Sequence, residues 1–227
     1  MTRPPSPVPP PSTSVEKVLV ATRNEGKARE IRDLFAGLPF RIVFPADQFL
    51  DRLPEESDLE RGTTFVENAV AKVRYFARRS GLPTIAEDSG LDVDALNGAP
   101  GAHSARFAAM YGDREQSVAA MSPDAANNAL LLKRLEGVPE AARTARYHCV
   151  VAYLETPVAA PQLVEAACEG RILEAARGVG GFGYDPLFWS VDLGMTFAEA
   201  PLAAKQRISH RGRALRALIE VLVRRSR

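Results

Sequence analysis

Residues 86–96 read AEDSGLDVDAL. Glu87, Asp88, Asp92 and Asp94 put four carboxylates within eight positions, with Ser89-Gly90 among them. Carboxylates with no adjacent His or Cys favour a hard cation such as Mg²⁺ over zinc. One of them can also take a proton from an attacking water. Asp92 and Asp94 have a simpler account, because the strict alternation of LDVDA aims both away from its apolar side as the wet face of a strand. Glu87 and Asp88 follow the apolar LPTIA, at the C-terminal edge of a strand, where α/β sheets place their ligands. Ser89-Gly90 then reads as a sharp turn in an acidic loop.

Three other stretches carry residue types suited to chemistry. In TRNEGK (22–27) a strand ends, a polar loop with a glycine follows, and a lysine enters the first helical turn. Free backbone N–H groups beside a cation suit a phosphate, and the same pattern suits a plain capped helix start. It is not a Walker loop, since no G-x-x-x-x-G-K-[ST] occurs. GVGGFGYDPLFW (178–189) contains G-x-G-x-x-G, but Tyr-Asp-Pro follows it where a dinucleotide fold needs an opening helix. What remains is a glycine-rich loop bearing Phe182 and Tyr184, which serves a stacked base or a turn with core aromatics. ISHRG (208–212) sets His210 and Arg211 at a helix start, with Lys205 just upstream. Cations there oppose the helix dipole, which invites a functional explanation. Solvated charges account for the same pattern.

The elements that position these stretches interleave. KVLVAT (17–22) reads as a strand, GKAREIRDLF as a helix and RIVF (41–44) as a strand. TFVENAVAKVRYFARRSG (64–81) carries a helix with a Thr64/Glu67 capping box, an apolar face of Val66, Ala69, Val70 and Val73, and Gly81 at its end. Ser122-Pro123 opens another helix, ARYHCVVAYL and PQLVEAAC read as paired strands, and Ser209 caps a last helix from His210 to about Arg224. Alternating helices and strands predict an α/β fold.

The 227 residues carry 29 Lys+Arg against 28 Asp+Glu, a net charge of +1. Such a balance gives no reason to expect nucleic acid or an acidic membrane as partner. No apolar run approaches the ~20 residues that span a bilayer, and the amino terminus has no signal-peptide core. Cys149 and Cys168 lie in strand-like segments and read as buried reduced thiols, so a cytoplasmic setting is expected. Six of the first eleven residues are proline, so 1–14 reads as a disordered tail and 15–227 as one domain.

ATRNEGKAREI, TFVENAVAKVR, AEDSGLDVDALNGAPGAHSARFA, GGFGYDP and KQRISHRGRAL, in that order, resemble the inosine/xanthosine triphosphate pyrophosphatase family from about Lys17 to Arg224. The resemblance implies Mg²⁺-dependent hydrolysis of non-standard purine nucleoside triphosphates (ITP, dITP, XTP) between the α and β phosphates. It implies a long mixed β-sheet flanked by helices, two lobes with the cleft between them, and a homodimer. Asp88 would be the general base and a metal ligand, and Ser89 would touch substrate. Thr22, Arg23, Asn24, Glu25, Gly26 and Lys27 would cradle the triphosphate. Phe182, Gly183, Tyr184 and Asp185 would hold the nucleoside with Lys205, His210 and Arg211. One position departs from the family: Leu59 stands where a metal-binding glutamate is usual, so either Glu60 or Glu56 replaces it or Asp88 and the phosphates hold Mg²⁺ mostly unaided. Two other readings stand beside this one. A Maf-like pyrophosphatase would differ in base preference, and a non-catalytic nucleotide sensor would release no pyrophosphate.

Overall fold

Strand-forming Val, Ile and Leu in alternation build one seven-stranded sheet in this computed structural model, which describes residues 16–112 and 121–225. The proline-rich segment 1–14 lies outside the described residues. The strands are β1 (Glu16–Val20), β2 (Phe40–Val43), β3 (Thr84–Val93), β4 (Thr144–Leu154), β5 (Gln162–Ile172), β6 (Phe188–Ser190) and β7 (Met195–Thr196). Their order is β2-β1-β3-β4-β5-β6-β7. The β1–β2 and β1–β3 pairs are parallel and the rest antiparallel, so the sheet is mixed.

The helices are α1 (Glu25–Phe35), α2 (Phe65–Ser80), α3 (Phe107–Tyr111), α4 (Pro123–Arg134), α5 (Leu202–Ile208) and α6 (His210–Arg225). Their ends follow the sequence signals. Asn24 Oδ1 accepts from Lys27 N to cap α1, and Thr64 and Glu67 form the capping box of α2. Gly81 ends α2 in the left-handed region at φ 68°. Ser122 caps α4, with Pro123 at its first position. None of the described helices is long and apolar enough to cross a membrane.

Three apolar clusters settle where the cleft must be. On one face of the sheet, Ile85, Cys149, Val151 and Tyr153 pack against α1 and α6; on the other, Ala86, Val150, Ala152 and Leu154 pack against α2. The third cluster sits farther along the same long strands, where Leu91, Val93, Ala145 and Tyr147 meet Phe107, Leu130 and Leu131. The sheet therefore carries two bodies of core, and residues 87–90 of β3 fall between them. These two bodies are the lobes, joined by β3 and β4. The free cysteines Cys149 and Cys168 are both buried in them.

The acidic stretch corrects the loop expected there. β3 runs unbroken through Glu87, Asp88, Ser89 and Gly90, each in register with β4 (Glu87 opposite Val151, Gly90 opposite His148). Gly90 therefore makes no turn. A Cβ there would stand 2.4 Å from both the Gly101 carbonyl oxygen and Ser104 Oγ, so the glycine lets the Gly101–Arg106 segment lie flat on the strand.

Candidate active site

β1 pairs with β3 only at Leu19–Thr84 and Val20–Ile85. Beyond Ile85 that edge of β3 has no strand neighbour among the described residues, so the backbone at 87–90 borders the cleft. Successive side chains point to opposite faces: Glu87 and Ser89 face α1 and α6, and Asp88 faces α2. A ligand at this edge meets both sets.

On the α2 side, Asn68 and Lys72 stand one helical turn apart and grip the two oxygens of Asp88. Lys72 Nζ lies 2.7 Å from Oδ1, and Asn68 Nδ2 donates to Oδ2 at 3.0 Å. Lys72 Nζ also reaches Glu60 Oε1 at 3.0 Å, and Glu60 receives Arg106 Nη1 at 3.2 Å. Burial opposes the charge on Lys72, but Asp88 and then Glu60 outweigh it and raise its pKa. Glu56 is held elsewhere, by Arg23 at 2.6 Å and Arg79 at 3.1 Å. Leu59 packs against the core under α2. Of the two glutamates that could replace the missing one, Glu60 is therefore the one beside Asp88. Among the described residues no three His, Cys, Asp or Glu cluster around one point. Two carboxylates sharing one ammonium nonetheless fit a hard cation that takes its other ligands from phosphate and water.

On the opposite face, six charges, all buried except the partly exposed Lys27, alternate in sign from one lobe to the other. Lys27 Nζ lies 2.9 Å from Glu87 Oε1, which also receives Arg211 Nε at 3.3 Å. Arg211 Nη1 reaches Glu30 at 2.5 Å, Glu30 reaches Lys205 at 2.9 Å, and Lys205 reaches Asp185 at 2.6 Å. Alternation leaves no member of the chain unpaired, the condition under which buried charge is tolerated. Burial alone would raise the Glu87 carboxyl, but Arg211 and Lys27 hold it well below the usual range. The same balance, set by Arg211 and Lys205, lowers Glu30. At the far end burial dominates and pushes Asp185 up.

Past Arg211 the cleft becomes aromatic. His210 and Tyr147 stack at 4.7 Å and 7°, with Phe197 parallel to Tyr147 at 5.7 Å. Burial, with Arg211 and Lys205 nearby, drops the His210 pKa well below its ordinary value, so the imidazole is neutral. Its buried Nδ1 has no hydrogen-bond partner among the described residues. Phe182 lies under the cations of Lys205 (5.0 Å) and Arg211 (5.5 Å). A Cβ on Gly26 would come within 2.8 Å of this ring, so the glycine of TRNEGK seats Phe182 on the start of α1. Tyr147 donates to Asp185 Oδ1 at 3.3 Å, and Tyr184 donates to the Ser104 carbonyl at 2.9 Å.

One cavity is lined by Asn24, Lys27, Ser89, Phe182, Gly183, Tyr184, Asp185, Lys205, His210 and Arg211. These come from four of the stretches singled out in the sequence. Thr22, Arg23 and Glu25 line a separate groove beside it, with Arg23 turned to Glu56. Asp88 lies across the strand. Three N–H groups of Arg211 are already committed, to Glu87, Glu30 and Ser89. Sequence reasoning missed Glu30, Asn68, Lys72 and Tyr147. For the two on α2 a signal existed, since Asn68 and Lys72 interrupt the buried face set by Ala69 and Val73.

A model of the Ham1 family matches residues 18–221. A dITP/XTP pyrophosphatase of Thioalkalivibrio sulfidiphilus is 48% identical over 207 residues, covering 91% of this chain and 98% of that protein. One of Thermus thermophilus is 45% identical over 204 residues, covering 90% of each. A HAM1 protein structure from Coxiella burnetii superposes with a TM-score of 0.77 at 35% identity, covering 92% of this chain and 99% of that one. The likeness runs from β1 into α6 and takes in every stretch that lines the cleft, so the chain belongs to the Ham1 family.

Proposed function

We propose that the protein hydrolyses non-standard purine nucleoside triphosphates (ITP, dITP and XTP) to the monophosphate and pyrophosphate, clearing them from the nucleotide pool. The observation that carries this reading is the open edge of β3. There Lys27 and Lys72 approach from opposite faces beside Asp88, and the aromatic pocket of Tyr147, Phe182 and His210 adjoins. The cations suit a triphosphate and the rings suit a base. The dITP/XTP pyrophosphatases among the relatives support the same assignment.

In this mechanism the triphosphate lies along the strand edge with its charge met by Lys27 and Lys72. Asp88, oriented by Asn68 and Lys72, takes a proton from the water that attacks the α-phosphorus. The bond from that phosphorus to the bridging oxygen breaks, and pyrophosphate leaves. A divalent cation, Mg²⁺ in this reading, would be held by Asp88 and Glu60 together with substrate oxygens and would supply neutralisation of phosphate charge. In the pocket the neutral imidazole of His210 offers a donor to the 6-oxo group of hypoxanthine or xanthine, and adenine presents an amino group there instead. Sites built on such pairing reject the wrong partner by ~10⁴ or more. Two buried free thiols support a reducing, cytoplasmic setting, and a homodimer of single-domain chains completes the reading.

A pyrophosphate-release screen across nucleoside triphosphates tests it. We expect kcat/KM for ITP, dITP and XTP far above GTP, with ATP and pyrimidines lowest, and loss of turnover on exhaustive chelation. Cleavage of ATP as fast as ITP would overturn the assignment. Sedimentation of the purified chain tests the dimer.

A further inference from the structure

The pocket wall carrying Phe182 and Tyr184 is a glycine-rich loop, and such backbone does not hold its own position. Gly183 sits between the two rings at φ +62°, in the left-handed region. Both of its backbone groups are gripped by one face of α4. Asp124 Oδ2 accepts from Gly183 N at 2.7 Å, and Asn128 Nδ2, one turn along, donates to the Gly183 carbonyl at 3.0 Å. Between them Asn127 reaches the opposite wall. Its Oδ1 accepts from Ala108 N at 2.8 Å and its Nδ2 donates to the Ala105 carbonyl at 3.2 Å. Ala105 and Gly183 both line the cavity, so one helix start braces both sides of it. The brace lies wholly at the aromatic end; none of these bonds touches Lys27, Lys72 or Asp88.

We infer that Asp124 and Asn128 are positioning residues for substrate selectivity: they fix Gly183, and through it the rings on either side, at the spacing that a flat purine requires. The inference rests on the reading of this pocket as the nucleoside site. Asp124 acts here as a hydrogen-bond acceptor for a backbone N–H and needs no charge for that. Asparagine can supply the same acceptor oxygen; alanine cannot.

The test compares Asp124→Ala, Asp124→Asn and Asn128→Ala with the wild-type chain, using ITP, ATP and inorganic tripolyphosphate as probes. Removing either side chain leaves a Gly183 backbone group without its hydrogen-bond partner, which supports roughly a tenfold effect. We therefore expect Asp124→Ala and Asn128→Ala each to raise the ITP KM about tenfold, with the loss falling on KM more than on kcat, and to narrow the preference for ITP over ATP. Asp124→Asn should stay near wild type. Inhibition by tripolyphosphate, which occupies only the phosphate end, should not move. Since both side chains hold one residue, the double variant should lose less than the product of the two single losses. The inference is overturned if the alanine variants leave the ITP KM within twofold, if Asp124→Asn is as damaged as Asp124→Ala, or if tripolyphosphate inhibition weakens in step with KM. A wild-type chain inert toward every nucleoside triphosphate overturns the underlying reading instead.

Discussion

The two ends of the cleft are built from different materials. At the proposed phosphate end the ion pairs dominate, Lys72 to Asp88 and Glu60 and Lys27 to Glu87, with the Asn68 amide on Asp88 beside them. At the proposed nucleoside end the walls are mainly rings and backbone, and the charges that reach it, Lys205 and Arg211, lie over the Phe182 ring. Tyr147 stacks on His210, Phe182 rests on the Gly26 turn, and Gly183 is clamped through its main chain. A triphosphate carries charge on every candidate nucleotide, so recognising it takes cations but cannot discriminate. Those cations must also be kept in place when no phosphate is there, and the buried carboxylates do that. A base is neutral and is chosen by shape and by the direction of its hydrogen bonds, which demands walls that do not move.

The largest break in this contrast should come at the phosphate end, at Asp88. Asp88→Asn keeps the shape and removes the proton acceptor and one negative charge. Loss of a general base costs ~10²–10⁴-fold. Turnover of ITP should fall at least a hundredfold while the melting transition survives. Near-wild-type turnover would remove Asp88 from the chemistry.

Next is Lys72→Met, which leaves Asp88 facing Glu60 with no cation between them. Removing one partner of a buried pair costs ~3–5 kcal/mol; Glu60 is partly exposed, so the loss should lie near the lower figure, read as a shift in the urea midpoint. Mg²⁺ should recover more stability in this variant than in wild type, because Asp88 then lacks a counter-charge and Glu60 keeps only Arg106. Equal Mg²⁺ responses would separate Glu60 from the metal.

At the nucleoside end single changes should be milder and should fall on selectivity. Gly26→Ala suits a helix start, yet its Cβ meets the Phe182 ring. The ring is the far end of a movable side chain, so it should shift with no loss of fold. The ITP KM should rise by about three- to tenfold, the scale of roughly one lost packing contact. An unchanged KM would mean Phe182 does not form the floor of the pocket.

Much of the cleft was legible in the sequence because its stretches lie at element ends with local signals: the Asn24 turn, the capping box before α2, the GGFGYDP loop. What was not legible depended on partners far away. Glu30 reads as an ordinary helix residue until Arg211, 181 positions later, is seen against it. The AEDSG stretch reads as a loop because its residues are polar, although β4 pairs with it throughout. Its polarity reflects the cleft it borders, which only the early end of β1 reveals. Glu56 and Glu60 were indistinguishable for the same reason, since Arg79 on α2 claims one and Lys72 on α2 the other.

The smallest expected effect contrasts the two ends by pH. At the phosphate end Lys72 is raised and stays charged throughout the physiological range, whereas burial, Arg211 and Lys205 hold the His210 pKa well below its usual value. The sign follows from proton counting. Below about pH 6.5 the unfolded chain binds a proton at this histidine, and the folded chain does not. Protons therefore favour unfolding, and stability falls as pH drops through this range, approaching about 1.4 kcal/mol per unit for this one group. Above pH 7 both states are neutral there and the contribution is flat. Acidification acts on other groups as well, so the comparison must be with His210→Asn, which leaves them in place. Urea midpoints at pH 5.5 and 7.5 should show wild type losing about 1.4 kcal/mol more than the variant on acidification. Parallel losses in the two proteins would mean that His210 carries its proton in the folded state, and the pocket would then present a fixed charge to the base as the other end does to phosphate.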